Sequence, residues 1–315
     1  MNGMTKKESY FSIDYLSRIP SLRHITGQTF LLILCMMASL LTVAYASGRE
    51  RAQLYEPDLL LTTKLNNGMG MGDKDHARVR AMIQNYETKN AGVFTHLDGD
   101  GLVVFNYVVD ELARRGLPLE IAFVPLVESG YRPNARNGQH IGLWQLGPAA
   151  AKTFGIQISQ KSDGRLNFVR ATEAALDYLE YLNRRFDGDW LLTLAAYNAG
   201  EGRVLRSMKK NRAAGKPVNF WNLDLPPITK AYIPRVLALS QLALEKQQLE
   251  VPVESIPEII AVKSPNKKEL LEAARRYGLK EHTIKYFNPS DFYTKDGASV
   301  MIMPKEIATL AYGAN

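Results

Sequence analysis

Glu128 stands at the end of an otherwise apolar run, Ile121-Ala122-Phe123-Val124-Pro125-Leu126-Val127, and Ser129-Gly130-Tyr131 follow it. Removing a carboxylate from water disfavours its charged form and raises its pKa, so the acid can still hold a proton near neutral pH. That is the property of a general acid; a glutamate solvated just past a helix end would have no such role. Two later stretches bear on the choice. Gly142-Leu143-Trp144-Gln145 and Ala195-Ala196-Tyr197-Asn198-Ala199-Gly200 each set an aromatic ring beside an amide side chain. Carbohydrate sites use this pairing: the ring packs on the apolar face of a sugar, and the amide exchanges hydrogen bonds with hydroxyl and acetamido groups. Trp144 and Tyr197 would serve equally as core residues.

Ordinary glycosidases flank the scissile bond with two carboxylates, about 5 Å apart for a covalent intermediate or wider to admit a water. Only Glu128 lies in such a motif. Asp163 reads as an ion-pair or loop residue beside Arg165, and Glu201 as a residue just past a helix end. One acid suffices where the substrate supplies the second group. The five histidines, His24, His76, His96, His140 and His282, show no ligand spacing, so no metal or other cofactor is expected. No Lys/Arg block with interleaved aromatics points to nucleic acid.

The elements that position these residues read as mainly helical. Val79, Met82, Ile83 and Tyr86 recur at helical spacing, as do Val103, Val104, Tyr107, Val108, Leu112 and Ala113 before Gly116, a C-cap. Pro118 restarts the chain, and Pro125 is expected to end or kink the helix that carries Glu128, presenting the acid at a cleft, or merely to mark a turn. Phe168, Thr172, Ala175, Leu179, Leu182 and Phe186 share a face of a long helix; Asp189 caps the next, which stops at Gly200. Arg203, Arg206, Lys209, Lys210 and Arg212 read as a solvated face. Pro226-Pro227 opens a helix containing Tyr232-Ile233-Pro234-Arg235.

In their order, Glu-Ser, Gly-Leu-Trp-Gln and Ala-Tyr-Asn-Ala-Gly, with Asp163-Gly164-Arg165 and Phe186-Asp187-Gly188-Asp189-Trp190, the motifs resemble those of the lytic transglycosylases of the lysozyme-like superfamily, over about residues 75 to 305. The resemblance implies a lysozyme-like helical catalytic domain, 73–250, and peptidoglycan as substrate. It further implies that Glu128 acts first as acid and then as base, with Ser129, Gln145, Tyr197 and Asn198 positioning acetamido and hydroxyl groups. Tyr232 matches an aromatic position of the related enzymes and reads either as cleft lining or as core. The chain departs from the pattern at Arg136-Asn137-Gly138-Gln139-His140-Ile141, one residue shorter than usual, and at Leu146, where Phe, Met or Ile is common. A hydrolysing muramidase would share Glu128 and the cleft; a non-catalytic wall-binding scaffold would have no reason to keep the acid.

The chain has 315 residues and a formal net charge of +7, ample for one core plus a small second unit. Residues 1–46 read as a signal peptide or membrane anchor: a basic leader precedes the 17-residue apolar run from Phe30 to Ala46. Ala44-Tyr45-Ala46 offers a cleavage site, and either reading sends the folded part out of the cytoplasm, to the periplasm or cell envelope. Cys35, the sole cysteine, follows Leu32-Ile33-Leu34 rather than the small residues lipoprotein processing needs, and no disulfide can form within the chain. Residues 47–72 read as a linker ending in Asn66-Asn67-Gly68-Met69-Gly70-Met71-Gly72. After a connection at Val251–Pro257, a strand, two helices and a closing strand, Val300-Met301-Ile302-Met303-Pro304, are similar to a LysM glycan-binding module. Ser264-Pro265-Asn266-Lys267 replaces that module's usual Gly-Asp-Thr-Leu. Residues 251–315 therefore read as a degenerate LysM-like unit that either binds glycan or steadies the catalytic domain.

Overall fold

Apolar residues at helical spacing give this chain its architecture. The computed structural model describes residues 59–313 apart from 90, 91, 161, 295 and 296, so the apolar run, Cys35 and the cleavage pattern lie outside the described residues. No helix among the described residues is long and apolar enough to cross a membrane.

Helix α1, Leu61–Gly68, is followed by α2, Ala77–Lys89, and α3, Asp100–Arg114. Gly116 is left-handed at φ 66° as the C-terminal stop of α3, and Leu117 N–H returns to Leu112 O at 2.9 Å. A 3-10 turn, Leu119–Phe123, leads directly into the six-residue α4, Val124–Ser129. A two-strand hairpin pairs β1, Arg136–Asn137, with β2, His140–Ile141. Then come α5, Pro148–Thr153; α6, Phe168–Arg185; α7, Trp190–Ala199; α8, Glu201–Ala213; and α9, Pro227–Ala243. Asn167 caps α6 through Arg170 N–H at 3.1 Å, and Asp189 caps α7 through the N–H groups of Leu191 and Leu192, both at 2.9 Å.

The C-terminal elements are β3, Ile259–Ser264; α10, Lys267–Arg276; α11, Glu281–Phe287; β4, Phe292–Tyr293; β5, Ser299–Pro304; and α12, Lys305–Tyr312. The sheet order is β3-β5-β4, all antiparallel. The expected strand, two helices and strand are present, but β5 does not close the unit: α12 follows it and buries Ala308. Its own core joins Leu270, Ala274, Ile284, Met301 and Met303. Ile259, Phe287 and Ile302 belong instead to the main core, with Trp144, Phe168 and Val236, and Asp58–Asn315 forms one compact unit.

Part of the stretch expected to be a linker is structured. Leu61 and Leu65, one turn apart on α1, are fully buried, Leu61 N–H bonds Val251 O at 2.9 Å, and Val253 N–H bonds Leu59 O at 3.0 Å. The glycines beyond are fixed by the buried Glu120, which accepts from Gly70 N–H at 3.1 Å and Met71 N–H at 2.9 Å and pairs with Lys74 at 3.2 Å. A short helix gives two buried leucines and no longer period, so glycine dominated the sequence reading. Leu65→Ala should therefore cost about 2–4 kcal/mol in urea unfolding; a change near zero would return this stretch to a linker.

Candidate active site

The proline before Glu128 starts a helix rather than ending one. Pro125 occupies the first turn of α4, where its missing N–H leaves no helical bond unmade. Glu128 is thus in the last turn of a regular helix, not beyond a break. Gly130 stops α4 at φ 64°. Tyr131 takes the same left-handed conformation at φ 57°, uncommon for a bulky residue and held by contacts around it. Its hydroxyl donates to Ala122 O at 2.7 Å, its ring is fully buried against Phe105, and its carbonyl accepts from the Tyr286 hydroxyl of α11.

Glu128 as a whole residue is half-buried, and Tyr232 of α9 donates to its Oε1 at 2.6 Å. Burial pushes the Glu128 carboxyl up to about 7; the Tyr232 hydrogen bond, which favours the charged form, opposes this and does not outweigh it. Tyr232 is itself buried and its hydroxyl pKa is raised, by burial first and then by the nearby Glu128 and Tyr197. Tyr232 is thus packed as a core residue, and its bond to the acid is a contact the sequence did not indicate. Tyr197 on α7 lies within the electrostatic reach of Glu128 and donates to Trp144 O at 2.7 Å.

The Gly-Leu-Trp-Gln loop is built from below. Gly142, at φ 84°, has no room for a side chain, since a Cβ would stand 2.0 Å from Arg165 O. Arg165 is almost fully buried. It binds Asp163 in a fork at 3.0 and 2.7 Å and donates to Gln139 O at 2.7 Å and Leu146 O at 3.0 Å. Burial pushes the Asp163 carboxyl up, but the Arg165 hydrogen bonds and charge hold it below the usual carboxylate range. Asp163 and Arg165 are thus the clamp under the loop, as an ion pair. Glu201 begins α8 and binds Arg185 at 2.8 Å and Tyr181 at 3.0 Å.

Two expected site residues, Ser129 and Gln145, face inward, as does the ring of Trp144. Trp144 is fully buried, its Nε1–H donating to Thr172 Oγ1 at 2.9 Å, so it is core and offers no face to a sugar. The Ser129 hydroxyl lies 2.7 Å from Leu143 O and accepts from Arg132 N–H at 3.2 Å; it ties α4 to the loop instead of meeting a ligand. Gln145, left-handed at φ 48°, turns Nε2 to Gly142 O at 2.8 Å and Ala135 O at 3.3 Å. Asn198 Oδ1 accepts from Thr229 Oγ1 at 2.8 Å, leaving its amide nitrogen for other acceptors. Sequence reasoning missed Thr229 and Tyr286. The latter meets Tyr131 across 155 residues, with no local pattern to signal it. His140 is exposed on β2. Among the described residues no group of three or more His, Cys, Asp or Glu is placed to hold a metal ion.

Residues 109–220, which carry Glu128 and the two aromatic-amide motifs, match the Transglycosylase SLT domain family. The chain carries an SLT domain. The chain is 32% identical over 259 residues to the membrane-bound lytic murein transglycosylase D of Escherichia coli K12, covering 80% of this chain and 57% of that protein. It is 48% identical over 115 residues to a putative tributyltin chloride resistance protein of Alteromonas, 36% of this chain and 56% of the other. A third match, 37% over 100 residues, is to the peptidoglycan transglycosylase gp16 of phage T7, 31% of this chain and 7% of the phage protein. The chain thus spans little more than half the length of the E. coli relative. The expected likeness to lytic transglycosylases is borne out, and the SLT domain contains Glu128, Ser129, Gln145, Tyr197 and Asn198, with Tyr232 beyond its end.

The raised Glu128 pKa has a consequence for SLT-domain stability. Between the ordinary glutamate value and about 7 the unfolded chain has released a proton that the folded chain keeps, so stability falls as pH rises through that window. Above it the deficit approaches at most about 3 kcal/mol. Glu128→Gln should therefore raise the melting temperature relative to wild type at pH 8 and leave the two closer at pH 4.5; equal differences at both would show an unperturbed carboxyl.

Proposed function

We propose that this chain is a lytic transglycosylase that cleaves the β-1,4 bond between N-acetylmuramic acid and N-acetylglucosamine in peptidoglycan. The observation that carries the reading is one carboxyl, Glu128, brought to about 7 by burial and held by one hydroxyl. The SLT domain and the printed names of the E. coli and phage relatives support it.

In this mechanism protonated Glu128 gives its proton to the glycosidic oxygen as the bond to the muramoyl anomeric carbon breaks. The 2-acetamido oxygen of the same sugar stabilises the positive charge at that carbon, the substrate-assisted role that makes a second carboxylate unnecessary. Glu128, now ionised and stabilised by the Tyr232 hydroxyl, takes the proton of the muramoyl C6 hydroxyl. That oxygen closes on the anomeric carbon to leave a 1,6-anhydro end. The attack is intramolecular, so a high effective concentration replaces an activated water. In this reading the Asn198 amide nitrogen orients acetamido and hydroxyl groups, and Tyr197 holds the carbonyl of Trp144 beside the acid. Residues 1–46 would export the chain to the periplasm or envelope, cleaved or as an anchor.

Muropeptides released from purified peptidoglycan and weighed by mass spectrometry test the reaction. Products one water, about 18 Da, lighter than their hydrolytic counterparts are expected; hydrated products would assign a muramidase, and no products a scaffold. Glu128→Gln should lower turnover by roughly 10²- to 10⁴-fold, and wild-type kcat/KM should fall above pH 7 as the acid form is lost.

For residues 251–315 we favour the packing role over glycan binding. Phe287 packs on Phe168 with ring centres 6.0 Å apart, Thr283 bonds Asp100 at 3.0 Å, and Tyr286 holds the carbonyl of Tyr131, three residues from Glu128. Tyr286→Phe should cost about 1 kcal/mol of stability and lower kcat without raising KM. A raised KM with unchanged stability would give the unit a binding role.

A further inference from the structure

A cavity of about 620 Å³ opens between α2, the segment after it, α4 and α9, a size within the range of ligand sites. Two of its wall residues flank the acid along the chain, although Glu128 itself is not among the lining residues. Leu126 and Gly130 stand two residues either side of Glu128, and Arg235 follows Tyr232 by one helical turn. The polar groups of the wall are Asn85 and Tyr86, and the cationic or ionisable nitrogens belong to Lys89, His96 and Arg235; among the described residues no aspartate or glutamate lines it. Arg235 and Lys89 are exposed, and among the described residues neither has a carboxylate partner. The Arg235 charge reaches the Tyr86 hydroxyl, whose pKa burial raises and Arg235 opposes. A cavity with cations and no counter-charge suits an anion, and the planar guanidinium fork suits a carboxylate in particular.

We propose that this cavity is a carboxylate subsite, in which Arg235, with Lys89 beside it, binds the acidic groups of the peptide carried by the muramoyl sugar. The identity of the ligand rests on the lytic transglycosylase reading; the charge preference of the cavity does not. Arg235 is a binding residue here and takes no part in proton transfer. It gives the chain a means of preferring peptide-bearing over bare glycan while Glu128 acts on the sugar backbone common to both.

The test is calorimetric titration of the full chain carrying Glu128→Gln, so that binding is read without turnover. The probes are a soluble disaccharide-peptide with free carboxylates and the same compound with its carboxyl groups amidated. Amidation should weaken binding by about tenfold. Adding Arg235→Ala should weaken the free-acid probe by a similar factor and leave the amidated one unchanged, and Arg235→Lys should recover part of the loss. Equal affinity for the two probes, equal weakening of both by Arg235→Ala, or no binding of either would overturn the subsite. Turnover of whole peptidoglycan by the unsubstituted chain is measured in parallel. Absent turnover with carboxylate-dependent binding intact would sink the lytic reading while supporting the subsite; normal turnover with charge-independent binding would do the reverse.

Discussion

One carboxyl group kept out of water, with one hydroxyl to hold it, is the constraint the site is built around. Two influences on the Glu128 carboxyl act in opposite directions. Burial raises the pKa, and the Tyr232 hydrogen bond draws it back. A wetter site would leave the acid ionised, and a carboxylate without the hydroxyl would be still harder to ionise. The two groups come from α4 and α9, 104 residues apart, so the balance exists only while those helices are packed.

Much of what surrounds the acid serves to hold backbone rather than to meet a ligand. Ser129, Trp144 and Gln145 direct their polar atoms to Leu143 O, Thr172 and Gly142 O. Arg165 is buried beneath the same loop and satisfies two of its carbonyls while Asp163 offsets its charge. Removing any one partner of such a network leaves buried polar groups unpaired, which costs more than the bond itself contributes. Left-handed Tyr131 and Gln145 mark two of the turns where the backbone is forced, and both flank the site. Their side chains are held by the surrounding fold, so the strain persists.

The C-terminal unit has a place in the same scheme. It has a small core of its own, but Phe287, Ile302 and Ile259 are part of the main one. Through Tyr286 it reaches the residue that turns the chain away from α4. On the other side, α1 and the connection at Val251–Pro257 hydrogen-bond to each other, which fastens the start of the described chain to the segment that follows α9.

The sequence by itself determined most of the helices, because repeated apolar faces, the Asp189 cap and the Gly116 and Gly200 stops are local signals. It also singled out Glu128, since an acid at the end of an apolar run is conspicuous along the chain. The α1 helix was hidden because two leucines make too short a period and three glycines beside it read as linker. Whether Trp144, Ser129 and Gln145 face a ligand or the protein was not legible either: an aromatic or polar side chain has the same letter in both places, and only packing chooses its direction. The tertiary structure alone decided that Tyr232 touches Glu128, that Arg165 lies under Gly142, and that Tyr286 holds Tyr131. Each joins elements far apart in the chain, and such contacts depend on how helices pack, which no short window of sequence contains.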